Sequence, residues 1–214
     1  MRQRIFIHYM RRLLRPAPLL AVTLLLIALT AAFAPAERTL GGNLRLVLLH
    51  GAWVWSGKLL FAAAALSGLA GLLRPPVWGS LSRAFGQAGL LFWLTYLPMS
   101  LLVQVQNWGG IFWDEPRWRI PFTFGVVGLL LQIALALFDQ PRLTSLANLI
   151  FGVSLWVMLG GAENVLHPQS PIVDSGSGAI QFTFSLLLAL AALAGGLTAA
   201  LLYRSQRSLT APSA

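Results

Sequence analysis

The chain has 214 residues, of which 57% are hydrophobic and 10% are charged, and its mean hydropathy is +0.74. A water-soluble domain cannot bury that much apolar surface, so the composition excludes a soluble globular protein. The formal net charge of +9 comes from arginines that flank apolar segments, which indicates contact with anionic lipid headgroups and not with nucleic acid.

Six long, nearly charge-free segments each have about the 20 residues that a membrane-spanning helix needs. They cover residues 17–35, 46–73, 86–106, 120–138, 143–164 and 180–203. Lipid offers no partners for backbone N–H and C=O groups, so we expect an all-α bundle of six transmembrane helices. Residues 1–204 then form one domain, and residues 205–214 form a disordered cytoplasmic tail. The first segment resembles a signal peptide, but we expect an uncleaved anchor helix because the chain begins at Met1.

Basic residues mark one side of this bundle. They lie in both terminal regions and after the second and fourth segments: Arg2, Arg4, Arg11, Arg12, Arg15, Arg74, Arg83, Arg142, Arg204 and Arg207. The other three loops carry acidic residues as well as arginines. The positive-inside rule therefore predicts a multi-pass protein of the plasma (inner) membrane with both termini in the cytoplasm.

Two histidines are predicted at the outer surface. His50 lies near the start of the second segment, and His167 follows the fifth. Two neutral imidazoles at matching depth suit the ligation of heme iron, either as a permanent pair or with one ligand that exchanges. The alternative is two unrelated residues at the rim, but ionisable groups at membrane level are rare. Glu163, four residues before His167, would orient that imidazole. Gly51 and Ala52 add little bulk beside His50, which leaves room for a flat ligand.

A tryptophan-rich loop joins the third and fourth segments on the same side. Its aromatic residues fit an interfacial belt, but a belt alone does not explain Asp114 and Arg117 among the rings. A porphyrin has apolar faces for stacking and carboxylates for an arginine. The predicted cofactor-binding residues are His50, His167, Trp108, Gly109, Trp113, Asp114 and Arg117, with the two histidines as metal ligands. The chain has no cysteine, so heme b would be held without a covalent thioether bond.

This loop resembles the WWD segment of the heme-handling membrane proteins of cytochrome c biogenesis. Trp108-Gly109 is followed by Trp113-Asp114-Glu115-Pro116-Arg117, which is similar to the family's W-G and W-D-P-R elements. Ile111-Phe112 stands where the family has tandem tryptophans, and Glu115 is inserted before the Pro-Arg pair.

The histidine segments resemble the CcmC branch of the same family. Its N-T-L-H-Q-x-S stretch is matched by Asn164, Leu166, His167 and Ser170. Its H-V-P-A-A-W stretch is matched by His50, Ala52 and Trp53. The resemblance implies a protein that holds heme at the outer face and passes it to a periplasmic heme chaperone. It also implies ATP-driven transporter subunits as partners, and heme transfer without catalysis.

Three other functions remain open at this point. A b-type electron-transfer subunit also uses paired histidines, although usually deeper in the membrane. A non-heme structural subunit of a larger membrane complex is a second alternative, and a small-solute transporter is a weaker third.

Lys58 lies within the second segment. It is expected either to pair with a propionate or a carboxylate such as Glu163, or to extend its side chain to the headgroups. Four glycines predict close helix packing: Gly68, Gly71, Gly195 and Gly196.

Overall fold

The computed structural model describes residues 15–163, 172 and 175–210, with side chains as far as 207. Six helices follow one another within these residues. They are α1 (Pro16–Ala32), α2 (Leu44–Leu73), α3 (Ser80–Trp108), α4 (Pro116–Phe138), α5 (Pro141–Gly160) and α6 (Gly178–Thr210). A π-helical turn, Pro75–Gly79, leads directly into α3. The described residues form no strand, so the predicted all-α architecture is confirmed for them.

Length and composition identify a multi-pass membrane protein. Five of the helical segments within the described residues are long and apolar enough to cross a membrane. The sixth, α1, has 17 residues and lies at the lower limit of the range for a spanning helix. Large apolar side chains on several helices point outward, as lipid-facing residues do; Leu66, Leu130 and Val157 are examples.

Helix α2 is the centre of the bundle, because it packs against α1, α3, α5 and α6. Small residues permit this close packing. A Cβ atom added at Gly68 or Gly71 would collide with Ser145 of α5, and one added at Gly195 would meet Leu60 at 2.8 Å. These three glycines are helix contacts, as predicted, whereas Gly196 faces open space.

A buried polar network joins α2, α3, α4 and α5 where no water can solvate it. Gln132 donates to Asn148 (2.9 Å), and Asn148 donates to the backbone carbonyl of Ser82 (3.0 Å). The Ser82 hydroxyl donates to the carbonyl of Ala64 (2.8 Å). In lipid such bonds are worth about 0.6 kcal/mol on average and fix the register of the helices.

The helices differ from the predicted segments mainly at the end of the bundle that holds Arg83 and Asp139. Arg83, predicted in a loop, lies in α3 and forms an ion pair with Asp139 at 2.6 Å. Residues 205–210, predicted as part of a disordered tail, continue α6. Gln206 of this extension donates to Gln87 of α3 at 3.1 Å, which gives the added helical turn a contact with the bundle.

Candidate functional site

A cavity of about 570 Å³ opens at the end of the bundle where α2 begins and α3 ends; we call this the cavity end. Pockets for cofactor-sized ligands have volumes of roughly 300–1,000 Å³. Most of the lining is apolar. The titratable and amide residues in the wall are His50, Lys58, Tyr96, Gln104, Asn107, Glu115 and Arg117. These groups come from three helices and one loop, so the site exists only in the assembled bundle.

Helix α2 supplies one wall through the spacing of its residues. Val47, His50, Val54 and Lys58 recur at intervals of three or four and therefore share one face. His50 and Lys58 are separated by roughly 12 Å along the helix axis. The wall thus carries an imidazole near the cavity end and an ammonium group farther into the bundle.

The imidazole of His50 packs against Tyr96 of α3. The two ring centroids are 5.0 Å apart, and the rings are tilted by 38°. His50 is half-buried and Tyr96 is buried, yet both contribute to the cavity wall. His50 is therefore held in place by an aromatic neighbour at the surface where a ligand would bind.

A proline in α4 determines how Arg117 is positioned. Pro121 has no N–H group, so it cannot donate to the carbonyl of Arg117 one turn earlier. The hydroxyl of Tyr96 donates to that carbonyl at 3.5 Å. Trp93 of α3 donates to the carbonyl of Pro121 itself at 2.9 Å. The first turn of α4 is thereby attached to α3, and Arg117 lies on the cavity wall.

The tryptophan-rich loop is ordered by a buried glutamine. The backbone N–H of Phe112 donates to Oε1 of Gln104 at 2.9 Å. Gly109 ends α3 with a positive φ of 72°, a conformation that glycine adopts without strain. Trp113 packs edge-on against the buried Trp118, with 6.0 Å between ring centroids, but 61% of its own surface remains exposed.

Lys58 lies between two tryptophan rings. Its Nζ atom is 3.9 Å from the ring centroid of Trp55 and 4.3 Å from that of Trp156. The indole N–H of Trp156 donates to the backbone carbonyl of Lys58 at 3.3 Å. A cation–π contact contributes about 0.5–2 kcal/mol, so two contacts offset much of the roughly 2.5–3.5 kcal/mol that a lysine costs at mid-membrane.

The charges around Lys58 are unusual for a membrane interior. No carboxylate of the described residues lies within ion-pairing distance of it, and Glu163, the predicted partner, is exposed and not paired with it. Arg117 lines the same cavity and adds a second cation to its wall. The two indoles hold the Lys58 ammonium group at the cavity wall.

The structure brings together some of the predicted site residues. His50, Trp108 and Arg117 line the same cavity. Trp113 and Asp114 are exposed and, like Gly109, are not part of its wall. His167 lies outside the described residues, as do Asn164, Leu166 and Ser170 of the same motif. Ala162 and Ile172, the described residues on either side in sequence, both line the cavity.

The space beside His50 has a different origin from the one expected. Ala52 is fully buried in the core and does not face the cavity. Gly51 does line the cavity, but a Cβ atom there would be 3.1 Å from the ring of Phe184 in α6. Its small size therefore serves helix packing at least as much as ligand access.

Besides Lys58, five polar residues of the wall were not predicted as site residues: Tyr96, Ser100, Gln104, Asn107 and Glu115. The first four form a polar stripe on the apolar helix α3. The spacing of three or four residues is the signal that would have identified this face. Among the described residues, no group of three or more His, Asp or Glu side chains is placed to hold a metal ion directly.

No protein-family model and no curated protein matches the sequence of this chain. Its chemistry must therefore be inferred from the cavity and from the motifs of the sequence itself.

Proposed function

We propose that this protein binds heme b non-covalently in the cavity and presents it for cytochrome c maturation. The observation that carries the proposal is the shared wall of His50, Trp108 and Arg117. This wall offers an imidazole for iron, an aromatic face for the macrocycle and a cation for a carboxylate. Heme presents an iron atom, a flat macrocycle and carboxylates. Each of them has a counterpart in this wall, so the residues fit the group.

His50 and His167 would both bind the heme iron. The support for His50 is its position on the cavity wall against Tyr96. The support for His167 is the sequence motif together with Ala162 and Ile172, which line the cavity on either side of it in the sequence. When bound, heme would supply an iron centre whose reduction potential depends on these ligands and on the surrounding polarity.

The residues of the loop would divide two tasks between them. Trp108 and Arg117 line the cavity and would contact the ligand. Trp113 and Asp114 are exposed and would meet the protein that receives the heme. By resemblance to the CcmC branch, that partner is a heme chaperone, and membrane subunits of an ATP-driven transporter would assist. The protein would transfer heme without breaking a covalent bond.

The proposed topology places both termini in the cytoplasm of a plasma-membrane protein. The cavity end then faces the periplasm or the cell exterior. The arginine distribution supports this orientation, since the end of the bundle opposite the cavity carries Arg74, Arg83, Arg142 and Arg204. A reporter fused after Ala214 that is active only in the cytoplasm would agree with it, and activity outside would reverse it.

Hemin titration of the purified chain in lipid nanodiscs tests the function. We expect saturable binding near one equivalent, with a shift of the Soret band. An unrelated membrane protein of similar size, titrated in the same nanodiscs, measures non-specific partitioning. If the two titrations agree, the heme proposal fails and a structural subunit becomes the better interpretation.

A further inference from the structure

Lys58 is the only lysine of the chain, beside 14 arginines. It stands in the middle of α2, about 21 Å from the first residue of that helix, in a segment that is otherwise free of charge between Arg45 and Arg74. A compact ammonium group with three rotatable donors differs from the planar guanidinium used elsewhere in the chain. The ammonium group of Lys58 can therefore orient its N–H donors toward a ligand in the cavity.

The surroundings of Lys58 attract a negative charge. Two indole rings hold the ammonium by their faces and supply no carboxylate. Arg117 of α4 adds a second cation to the wall of the same cavity. A ligand carboxylate placed between two such cations would accept charge-assisted hydrogen bonds from both. Glu115 also lines the cavity, so the wall carries two cations and one carboxylate.

We propose that Lys58 and Arg117 form an anion subsite of the cavity, which receives a carboxylate of an amphipathic ligand. The inference deepens the proposed function and rests on it, because heme carries two propionates on one edge. Lys58 lies roughly 12 Å farther from the cavity end than His50 along α2, so the carboxylate would bind deeper along this wall than the iron. The ligand would then enter with its propionate edge leading.

The decisive comparison uses ligands that differ only in their carboxylates. Hemin and metal-free protoporphyrin IX are titrated into the full chain in nanodiscs, each as the free acid and as the dimethyl ester. A charge-assisted hydrogen bond is worth roughly a tenfold to hundredfold difference in affinity. We expect the acids to bind more tightly than the esters by that factor.

Four variants locate the effect. In Lys58→Met and Arg117→Gln the preference for the acid should fall toward onefold, while Lys58→Arg should retain most of it. Arg119→Gln is the matched control, since Arg119 is an exposed arginine of the same helix outside the cavity wall. If Lys58→Met fails to fold, Lys58→Arg and Arg117→Gln still carry the test.

A second measurement does not depend on affinity. Lys58 provides the only side-chain amine, so an amine-reactive reagent can modify only Lys58 and the α-amino group. Intact-mass analysis of the labelled protein then reports on Lys58 directly. Protoporphyrin IX should slow its modification at least fivefold, and the dimethyl ester should slow it much less.

The outcomes separate the two proposals. Equal affinity for acid and ester, or equal protection of Lys58 by both, overturns the anion subsite even if hemin binds through iron. Acid preference without any iron-dependent spectral change supports the subsite and overturns ligation by histidine. Absence of saturable porphyrin binding in all four titrations overturns both.

Discussion

The hydroxyl of Tyr96 donates to the backbone carbonyl of Arg117, the carbonyl that Pro121 leaves without its helical partner. This contact joins α3 to the first turn of α4 at the point where α4 cannot complete its own hydrogen bonds. The contact also joins Tyr96, which packs on His50, to Arg117, which would bind a carboxylate. One side chain thus connects the residue proposed to bind iron with one proposed to bind a carboxylate.

Removing that hydroxyl should weaken the bundle and displace Arg117. We expect Tyr96→Phe to lower the free energy of unfolding by about 0.5–1.5 kcal/mol, because the contacts of the hydroxyl with the Arg117 carbonyl and the Ser100 side chain are lost while the ring remains. Unfolding in mixed micelles measures the change. Tyr203→Phe removes a hydroxyl near the C-terminal end of α6, far from the cavity end, and serves as the control. Equal stability of the two variants would show that the 3.5 Å contact contributes nothing.

The histidines and the exposed loop residues should have separable effects on bound heme. His50→Ala or His167→Ala removes an imidazole from the proposed iron, so the absorption spectrum and midpoint potential should change. Trp113→Ala or Asp114→Ala should leave the ligand-field bands in place and reduce retention or hand-over of heme. Spectra and heme content of the four purified variants make the comparison.

His8→Ala is the control for this series, since it changes a histidine of the N-terminal region to which no role is assigned. A wild-type spectrum and heme content in both His50→Ala and His167→Ala would remove the case for histidine ligation. The chain would then be better described as a structural subunit.

Close packing of α2 on α5 depends on the absence of a side chain at Gly68. A Cβ atom there would collide with the backbone carbonyl of Ser145, which cannot move without shifting α5. We expect Gly68→Ala to cost about 1–3 kcal/mol. Gly196→Ala makes the same change on α6 where nothing lies within 4 Å. Its stability should match that of the wild type, and a similar loss in both variants would contradict the packing argument.

The loop between α1 and α2 should lose order in acid. The N–H groups of Leu40 and Thr39 donate to the carboxylate of Glu37 at 2.9 and 2.8 Å and hold its pKa below the ordinary value. A lowered pKa in the folded state means that the stabilisation is complete above the ordinary value of 4.5. It is lost as the pH falls through the lower, folded-state value.

Hydrogen exchange of the Thr39 and Leu40 amides, corrected for intrinsic rates, measures this change. Protection should persist from pH 7 to about 4.5 and decrease below it. In Glu37→Ala protection should be low at every pH, whereas Glu163→Ala, which removes an exposed carboxylate, should behave like the wild type. Protection that does not depend on pH in the wild type would argue against the carboxylate contacts.

The sequence predicted the helices well because lipid restricts the backbone to helices and because apolar length is easy to read. The ends of the helices were harder to predict. Arg83 lies in the first turn of α3, and Gln206 lies near the end of α6. Their polar side chains suggest a loop, and only their contacts with Asp139 and Gln87 explain why the helices include them. The π-helical turn at Pro75–Gly79 gave no periodic signal at all.

The candidate site was predicted only where residue type itself was informative. His50, Trp108 and Arg117 are conspicuous by chemistry and sidedness, and they meet at the cavity. Tyr96 and Gln104 lie on a helix without a recognisable motif, and their roles depend on Pro121 and on the N–H of Phe112. Such contacts are set by the packing of helices against each other, which composition and spacing do not determine.

The contacts of Lys58 with the rings of Trp55 and Trp156 also have a consequence for synthesis of the chain. Trp55 precedes the lysine by three residues, but Trp156 follows it by 98. At a translation rate of about 5–20 residues per second, Lys58 leaves the ribosome roughly 5–20 seconds before Trp156. During that interval only Trp55 can cover the ammonium, so α2 enters the bilayer without its second cation–π contact. Its burial is completed when α5 arrives, which makes late docking of α5 the step that stabilises the earlier insertion.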